Sequence, residues 1–262
     1  MIEIHTHLLH GIDDGPASET EALDLARALH SDGARIVIAT PHVSKAHPCT
    51  RALLDERLAE VRASLVGAGI ALDVRSGAEI ELGELDGLAD DELRQLVLAD
   101  GPWLLLECPH IAFPFGMVER IRELRDRGFD VVLAHPERSP HIREDLTLLA
   151  EMVGAGAVSQ VTAASLTGNL GRRNRAAAWA MLDAGLVHAI ASDAHDVVGR
   201  PPGMSAARDL IAGERGADLA QALTEDAPAA IVAGEGPDDV RAVLDRCRPS
   251  RRRGPFGRRR RP

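Results

Sequence analysis

Two histidines two residues apart, His5 and His7, close an alternating segment that reads as a short strand from Ile2 to His7. Side chains two apart on a strand share a face, so both imidazoles point the same way, about 7 Å apart along the chain. Neutral imidazole is the commonest protein ligand of divalent metals, and a pair at this spacing can grip one ion. Asp13 and Asp14 follow in a loop closed by Gly15, where hard oxygen ligands could reach the same place. His42, Glu79, Glu107, His135, Asp193 and His195 recur near the ends of later apolar runs. Singly, each reads as an ordinary polar cap on a buried strand.

Seven apolar segments must position these residues. They are Ile2–His7, Arg35–Ala39, a segment from Ala71 to Glu81, Trp103–Leu106, Asp130–Ala134, Ala157–Val161 and Val187–Ala191. Helical periodicity separates them. Ser18 to Glu21 forms a capping-box pattern ahead of Ala22, Leu25, Ala26 and Leu29, with Gly33 as the stop. Further helices are expected over Leu53–Leu65, Leu88–Leu98, Val118–Arg127, Leu146–Val153, Ala176–Ala184 and about Ala206–Ile211. Strands apolar on both faces belong in a parallel sheet covered by helices. No G-x-G-x-x-G or phosphate-loop motif follows any of them, which removes support for a nucleotide-binding fold. Polar residues at the ends of successive parallel strands mark the mouth of a (β/α) barrel, so a single, slightly irregular α/β barrel is expected. Nine such residues at one mouth are uncompensated charge unless cations neutralise them, and about three bivalent ions fit the set, with Glu79 shared.

At 262 residues the chain is long enough for one large α/β domain. Aromatics are 2% with no Tyr, so the core falls to Leu, Val, Ile and Ala. Three cysteines without a C-x-x-C suggest a reducing compartment, and neither a signal peptide nor a membrane span is expected. The net charge of −10 conceals a split: residues 246–262 hold nine Arg and no acid, leaving 21 basic against 40 acidic groups elsewhere. An acidic body argues against a nucleic-acid partner.

The motifs His5-Thr6-His7, Asp13-Asp14-Gly15, Ala39-Thr40-Pro41-His42, Gly77-Ala78-Glu79-Ile80, His135-Pro136-Glu137-Arg138 and Ser192-Asp193-Ala194-His195 resemble the PHP (polymerase and histidinol phosphatase) superfamily. Within it they resemble the bacterial manganese-dependent protein-tyrosine phosphatases of capsule and exopolysaccharide loci, of the CpsB/CapC type. The likeness runs from Met1 to about residue 232 in order and spacing. It implies a distorted (β/α)7 TIM-like barrel, the PHP fold, with a phosphatase domain over 1–234 and a C-terminal segment over 235–262. It implies three divalent ions, manganese first and iron or zinc otherwise. His5, His7, Glu79 and Asp193 would hold the first ion, Glu79, Glu107 and His135 the second, and Asp14, His42 and His195 the third. Arg138 and Arg200 match the phosphate-binding arginines. The implied partner is a bacterial tyrosine kinase bearing phosphotyrosine, and the implied location is the cytoplasm.

The chemistry agrees with the resemblance. A phosphomonoester dianion needs its oxygens neutralised and a nucleophile delivered in line, which clustered ions supply, while arginine forks clamp phosphate oxygens. A small-molecule phosphatase such as histidinol phosphatase, or a non-catalytic scaffold of the same fold, are the competing readings. Phe113 and Phe115 could flank a substrate ring or pack in the barrel. Cys108 is expected in the core, and His10, His30, His47, His110, His141 and His188 in loops or on helix surfaces. Cys247 to Arg253 fits the C-x5-R pattern of cysteine phosphatases, but Pro249 and an arginine-rich surrounding oppose it. The tail from Arg251 is too polar to fold and could attract the enzyme to an anionic membrane surface, placing it peripherally at the inner face.

Overall fold

Trp103-Leu104-Leu105-Leu106 is apolar on both faces, so a strand made from it must be covered on both sides. The computed structural model describes residues 1–108 and 116–247, and these four side chains are fully buried in it. Its strands are β1 (Ile2–Thr6), β2 (Ile36–Ala39), β3 (His42–Val43), β4 (Asp73–Ser76), β5 (Glu79–Glu81), β6 (Trp103–Glu107), β7 (Asp130–Ala134), β8 (Val158–Thr162) and β9 (Ala189–Ala191). They form two sheets, ordered β1-β2-β4 and β3-β5-β6-β7-β8-β9, with every neighbouring pair parallel. The α/β class with parallel strands is therefore as expected.

All seven expected strands are present; the Ala71–Glu81 segment is split into β4 and β5, and Arg35–Ala39 is followed by the short extra strand β3. Pro41, between β2 and β3, has no N–H for a ladder, while its carbonyl oxygen accepts from Glu79 N at 3.0 Å. Gly77 and Ala78 lie between β4 and β5. A Cβ on Gly77 would stand 2.8 Å from both Ile38 Cγ2 and Leu98 Cδ2, so only glycine admits this close passage. Each break steps the chain from the smaller sheet to the larger one, and each delivers a candidate ligand, His42 or Glu79. The two sheets also meet through β1. Asp193 N donates to His5 O and His7 N to Ala194 O, both at 2.9 Å, and Thr6 pairs with Ala194 in an isolated parallel bridge.

Helices cover the strands much as the periodicity implies. Glu19–Ser31 begins at Ser18, whose hydroxyl accepts from Glu21 N, and Gly33 follows it at φ 102°. Leu25 and Leu29 pack with Leu54 and Leu58 of Arg51–Ala68 over β1 and β2 in the smaller core cluster. The larger cluster centres on β5 to β9. Leu88–Leu98 departs from expectation, because only Asp90–Leu93 is α-helical there. Gln95 N and Leu96 N bond three residues back, and Leu93, Leu96, Val97 and Leu98 are all buried. Four apolar positions in six residues demand burial on every side, which a tightening turn provides and a surface helix does not. A helix unmarked in the sequence reading, Pro237–Cys247, buries Val240, Val243 and Leu244 in the larger cluster. Phe113, Phe115, His110 and the arginine-rich tail lie outside the described residues.

The tight seat of Gly77 gives a stability prediction. Gly77→Ala should destabilise the protein by about 1–3 kcal/mol, the usual penalty for overpacking a filled core. Urea unfolding of both proteins measures it, and an unshifted midpoint would show that Ile38 and Leu98 give way freely.

Candidate metal centre

The end of β1, the two strand breaks and the ends of β6, β7 and β9 bring all nine candidate residues into one region. They form four overlapping groups, within each of which one donor atom per residue lies within 4.8 Å of the others. The groups are His5, His7 and Asp193; His5, Glu79 and His135; His42, Glu79 and Glu107; and His7, Asp14, His42 and His195. Glu79 thus belongs to two of the groups, but the expected trio of Glu79, Glu107 and His135 is not one of them. Glu107 falls in with His42 and Glu79, and His135 with His5 and Glu79. His5, His7, Glu79, His135, Asp193 and His195 are at most 3% exposed, and Asp14 stands at the rim.

Four of these atoms define a focus. His5 Nε2 lies 3.3 Å from Glu79 Oε2 and 3.4 Å from Asp193 Oδ1, and His7 Nε2 lies 3.4 and 3.5 Å from the same two oxygens. All four atoms are buried without a hydrogen-bond partner. The other ring nitrogens explain why. His5 Nδ1 pairs with Gln160 Oε1 at 2.9 Å and His7 Nδ1 with Asp13 Oδ2 at 2.6 Å. Each acceptor takes the ring proton, which turns a bare Nε2 lone pair toward two carboxylate oxygens. Lone pairs facing lone pairs in a desolvated site repel unless a cation stands between them. Donor edges of 3.3–3.5 Å also match a shell of metal–ligand bonds of roughly 2.0–2.1 Å. These residues therefore fit a divalent ion.

The remaining members extend the set. His135 Nε2 lies 2.8 Å from Glu79 Oε1 and His42 Nδ1 3.0 Å from Glu79 Oε2. His195 Nδ1 donates to Asp193 O at 3.1 Å, which aims its Nε2 at Asp14 Oδ1, 3.2 Å away. Both arginines converge on the second oxygen of Asp193: Arg138 Nη1 reaches Oδ2 at 2.8 Å and Arg200 Nη2 at 2.6 Å. Asp193 thus gives Oδ1 to the histidines and Oδ2 to the guanidinium groups. Arg200 Nη1 also lies 2.7 Å from His195 Nε2, the lone pair an ion there would take. The backbone is strained at two of these positions, with φ 35° at His135 and 53° at Asp193.

The charges respond to this crowding. Burial would push the Glu79 and Asp193 carboxyls up, but His5 and other facing rings, with Arg200 for Asp193, hold both well below the carboxylate range. Burial likewise opposes charge on His5, His7 and His42, yet Glu79 and Asp193 raise His5, Asp13 with Asp193 and Glu79 raises His7, and Glu79 raises His42 above the usual value. His195 is lowered, because burial and the neighbouring His7 outweigh Asp14.

Several further residues support the cluster without joining it. Asp13 does not face the cluster: besides His7, its Oδ2 accepts from His42 N at 2.9 Å, and its Oδ1 accepts from Gly15 N at 2.9 Å. Glu3 is fully buried and ties β1 to the end of β9, accepting from His5 N at 2.9 Å and Ser192 N at 2.8 Å, while burial pushes its carboxyl up to about 7. Glu137 Oε1 accepts from Thr162 N at 3.0 Å and Ser165 Oγ at 2.7 Å, which locks the turn after His135. Cys108 is buried as expected. His188 is a correction: it is 2% exposed, and its Nδ1 accepts from Ser159 N at 3.2 Å, because it leads into β9 between β8 and the core.

Metal-free protein should show the charge balance directly. Raised His5, His7 and His42 contribute stability that is present below the ordinary imidazole value of about 6.5 and is lost as pH rises through their folded values. His195, lowered, acts in the opposite direction, but three rings outweigh one. The Tm of chelated protein should therefore fall as pH is raised above about 6.5, and saturating Mn²⁺ should remove that fall. A chelated Tm that rises over this range would contradict the assignment.

Comparison with known proteins agrees with this geometry. The family model described as "Capsular polysaccharide synthesis, CpsB/CapC" matches residues 1–233. The chain is 36% identical over 233 residues to tyrosine-protein phosphatase YwqE of Bacillus subtilis, covering 87% of this chain and 90% of that one. It is 33% identical over 204 residues to the putative tyrosine-protein phosphatase CapC of Staphylococcus aureus, covering 77% and 79%. Among solved structures it superposes, with a TM-score of 0.84 at 33% identity, on a chain from the crystal structures of YwqE from Bacillus subtilis and CpsB from Streptococcus pneumoniae, described as unique metal-dependent tyrosine phosphatases. That match covers 90% of this chain and 95% of the other. With nearly its whole length matched, the chain belongs to the CpsB/CapC family of capsular polysaccharide synthesis.

Proposed function

We propose that this chain is a metal-dependent protein-tyrosine phosphatase. The observation that carries the proposal is the set of four buried, unpartnered donors on His5, His7, Glu79 and Asp193, in a chain whose relatives are tyrosine phosphatases. In this reading His5, His7, Glu79 and Asp193 hold one divalent ion, Glu79, Glu107 and His135 a second, and Asp14, His42 and His195 a third. The mixture of imidazole and carboxylate donors suits manganese, iron or zinc, and the family resemblance favours manganese. The ions supply positive charge to the phosphoryl oxygens and acidify a water to serve as nucleophile. Gln160, Asp13 and the carbonyl of Asp193 keep the His5, His7 and His195 rings turned toward them. Arg138 and Arg200, each anchored on Asp193, direct their remaining N–H groups at the phosphate. An ion held by His195 Nε2 would take the lone pair that Arg200 Nη1 now meets, leaving that N–H available to phosphate.

We also propose that the two sheets are arcs of one distorted seven-membered barrel, broken at Pro41 and Gly77. The bridge between Thr6 and Ala194 supports this, as it joins β1 to the chain leaving β9. The substrate proposed is the phosphorylated tail of a tyrosine kinase in the same capsule-forming system. A cysteine mechanism has no support: Cys247 ends a helix where the C-x5-R pattern needs a strand before it, and burial raises its thiol pKa.

Chelation should abolish hydrolysis of a phosphotyrosine peptide and added Mn²⁺ should restore it, while Cys247→Ser leaves the rate unchanged. Histidinol phosphate should be a poor substrate beside the peptide. Full activity in protein verified to be metal-free would exclude the mechanism.

The tail carries a separate proposal. Residues 248–262 hold eight Arg, each contributing about 1 kcal/mol near an anionic surface, and they would draw the enzyme to a membrane-bound substrate. No helix among the described residues is long and apolar enough to cross a membrane. Removing residues 248–262 leaves Pro237–Cys247 whole and should reduce binding to anionic vesicles at low salt, with hydrolysis of a small aryl phosphate intact. Equal vesicle binding by both forms would remove the proposal.

A further inference from the structure

A cavity of about 200 Å³ lies beside the metal centre, between the chain leaving β8 and the loop after His195. Asp193 and Arg200 line it, so it is continuous with the site. The rest of its wall includes Leu170, Pro201, Pro202 and Ala206. The two prolines have fixed φ and make a stiff apolar face. Thr162 also lines the cavity and is 1% exposed, and its Oγ1 has no hydrogen-bond partner.

Three physical properties narrow the occupant. The volume is below the roughly 300–1,000 Å³ of clefts that take whole drug-sized ligands, so one side chain fits and a larger molecule does not. Among its lining residues the only carboxylate is Asp193, whose Oδ2 is already held by two arginines and whose Oδ1 faces His5 and His7. A cationic group would therefore meet Arg200 without a free anion, which disfavours an amine or imidazolium. The wall formed by Leu170, Pro201, Pro202 and Ala206 favours an apolar group.

We infer that this cavity takes the aromatic ring of the substrate tyrosine, and that Leu170, Pro201, Pro202 and Ala206 determine selectivity for aryl over alkyl phosphates. The inference rests on the phosphatase reading. With the phosphoryl group at the metal centre and Arg200, the ring enters the cavity that Arg200 also lines. In the reaction the water oxygen bonds to phosphorus, the bond from phosphorus to the tyrosyl oxygen breaks, and one water proton ends on that oxygen. Tyrosine and hydrogen phosphate are the products. The ring stays seated in the cavity while its oxygen separates.

The test uses two stable phosphate mimics that differ only in the group the cavity would take. The Mn²⁺-loaded full chain is titrated with phenylphosphonate and with methylphosphonate, in the wild type and in Ala206→Phe, whose new ring fills the cavity from an exposed helix position. Wild type should prefer the phenyl compound by about tenfold or more, the order expected for burying one ring. Ala206→Phe should lose that preference and keep its affinity for methylphosphonate, which also shows that its fold and metals are intact. Equal wild-type affinities, or a preference that survives in Ala206→Phe, would overturn the inference. Hydrolysis of a phosphotyrosine peptide is measured alongside. An Mn²⁺-loaded wild type that leaves the peptide intact would overturn the phosphatase reading and the cavity's role with it, whereas an active wild type without a phenyl preference would overturn the cavity's role alone.

Discussion

The arrangement of this molecule turns on one electrostatic constraint: Glu79 and Asp193 are buried carboxylates that face the bare nitrogens of His5 and His7. Desolvating two such groups is costly, and breaking the balance around them by removing a partner costs about 3–5 kcal/mol in comparable buried pairs. Positive charge has to be present. Raised histidines provide it in metal-free protein, and divalent ions held there would replace those protons. The two states answer the same demand with different cations. Asp193 joins that demand to the proposed phosphate clamp, because its second oxygen holds Arg138 and Arg200.

Four irregular points of the backbone serve this cluster. Pro41 ends one ladder and puts His42 into the next, while Gly77 lets the neighbouring strand pass close enough to deliver Glu79. His135 and Asp193 leave their strands at positive φ, a conformation that His and Asp tolerate better than most side chains. Glu3 supplies the opposite tendency, regularity, by clamping β1 to the end of β9 with both carboxylate oxygens. Strain at the ligands is thus held in place by a stiff parallel framework that is apolar on both faces.

Much of this was legible in the sequence because two signals coincided. Apolar runs fixed where the strands lie, and His, Asp or Glu near the ends of six of the seven marked the members of the cluster. Position and residue type together identified Glu79 and His135 as members of the cluster, where either signal alone would have been ambiguous. The supporting residues lacked that coincidence. Gln160 sits in Val-Ser-Gln-Val-Thr as an unremarkable polar position, and its partner His5 is 155 residues away. Asp13 looked equivalent to Asp14 in the same loop, and only the fold shows that it turns to the far nitrogen of His7. His188 carried a histidine's polarity but not its usual exposure, as its bonding depends on the pairing of β8 and β9. Leu88–Leu98 failed for a different reason: burial of consecutive apolar side chains overrode helical periodicity.

The central claim is that four unpartnered donors share one ion. Diffraction from crystals of the Mn²⁺-loaded protein, recorded at the manganese absorption edge, tests it most directly. The account predicts an anomalous peak within bonding distance of His5 Nε2, His7 Nε2, Glu79 Oε2 and Asp193 Oδ1 together. Manganese found only elsewhere in the molecule, with those four atoms bridged by water, would contradict it.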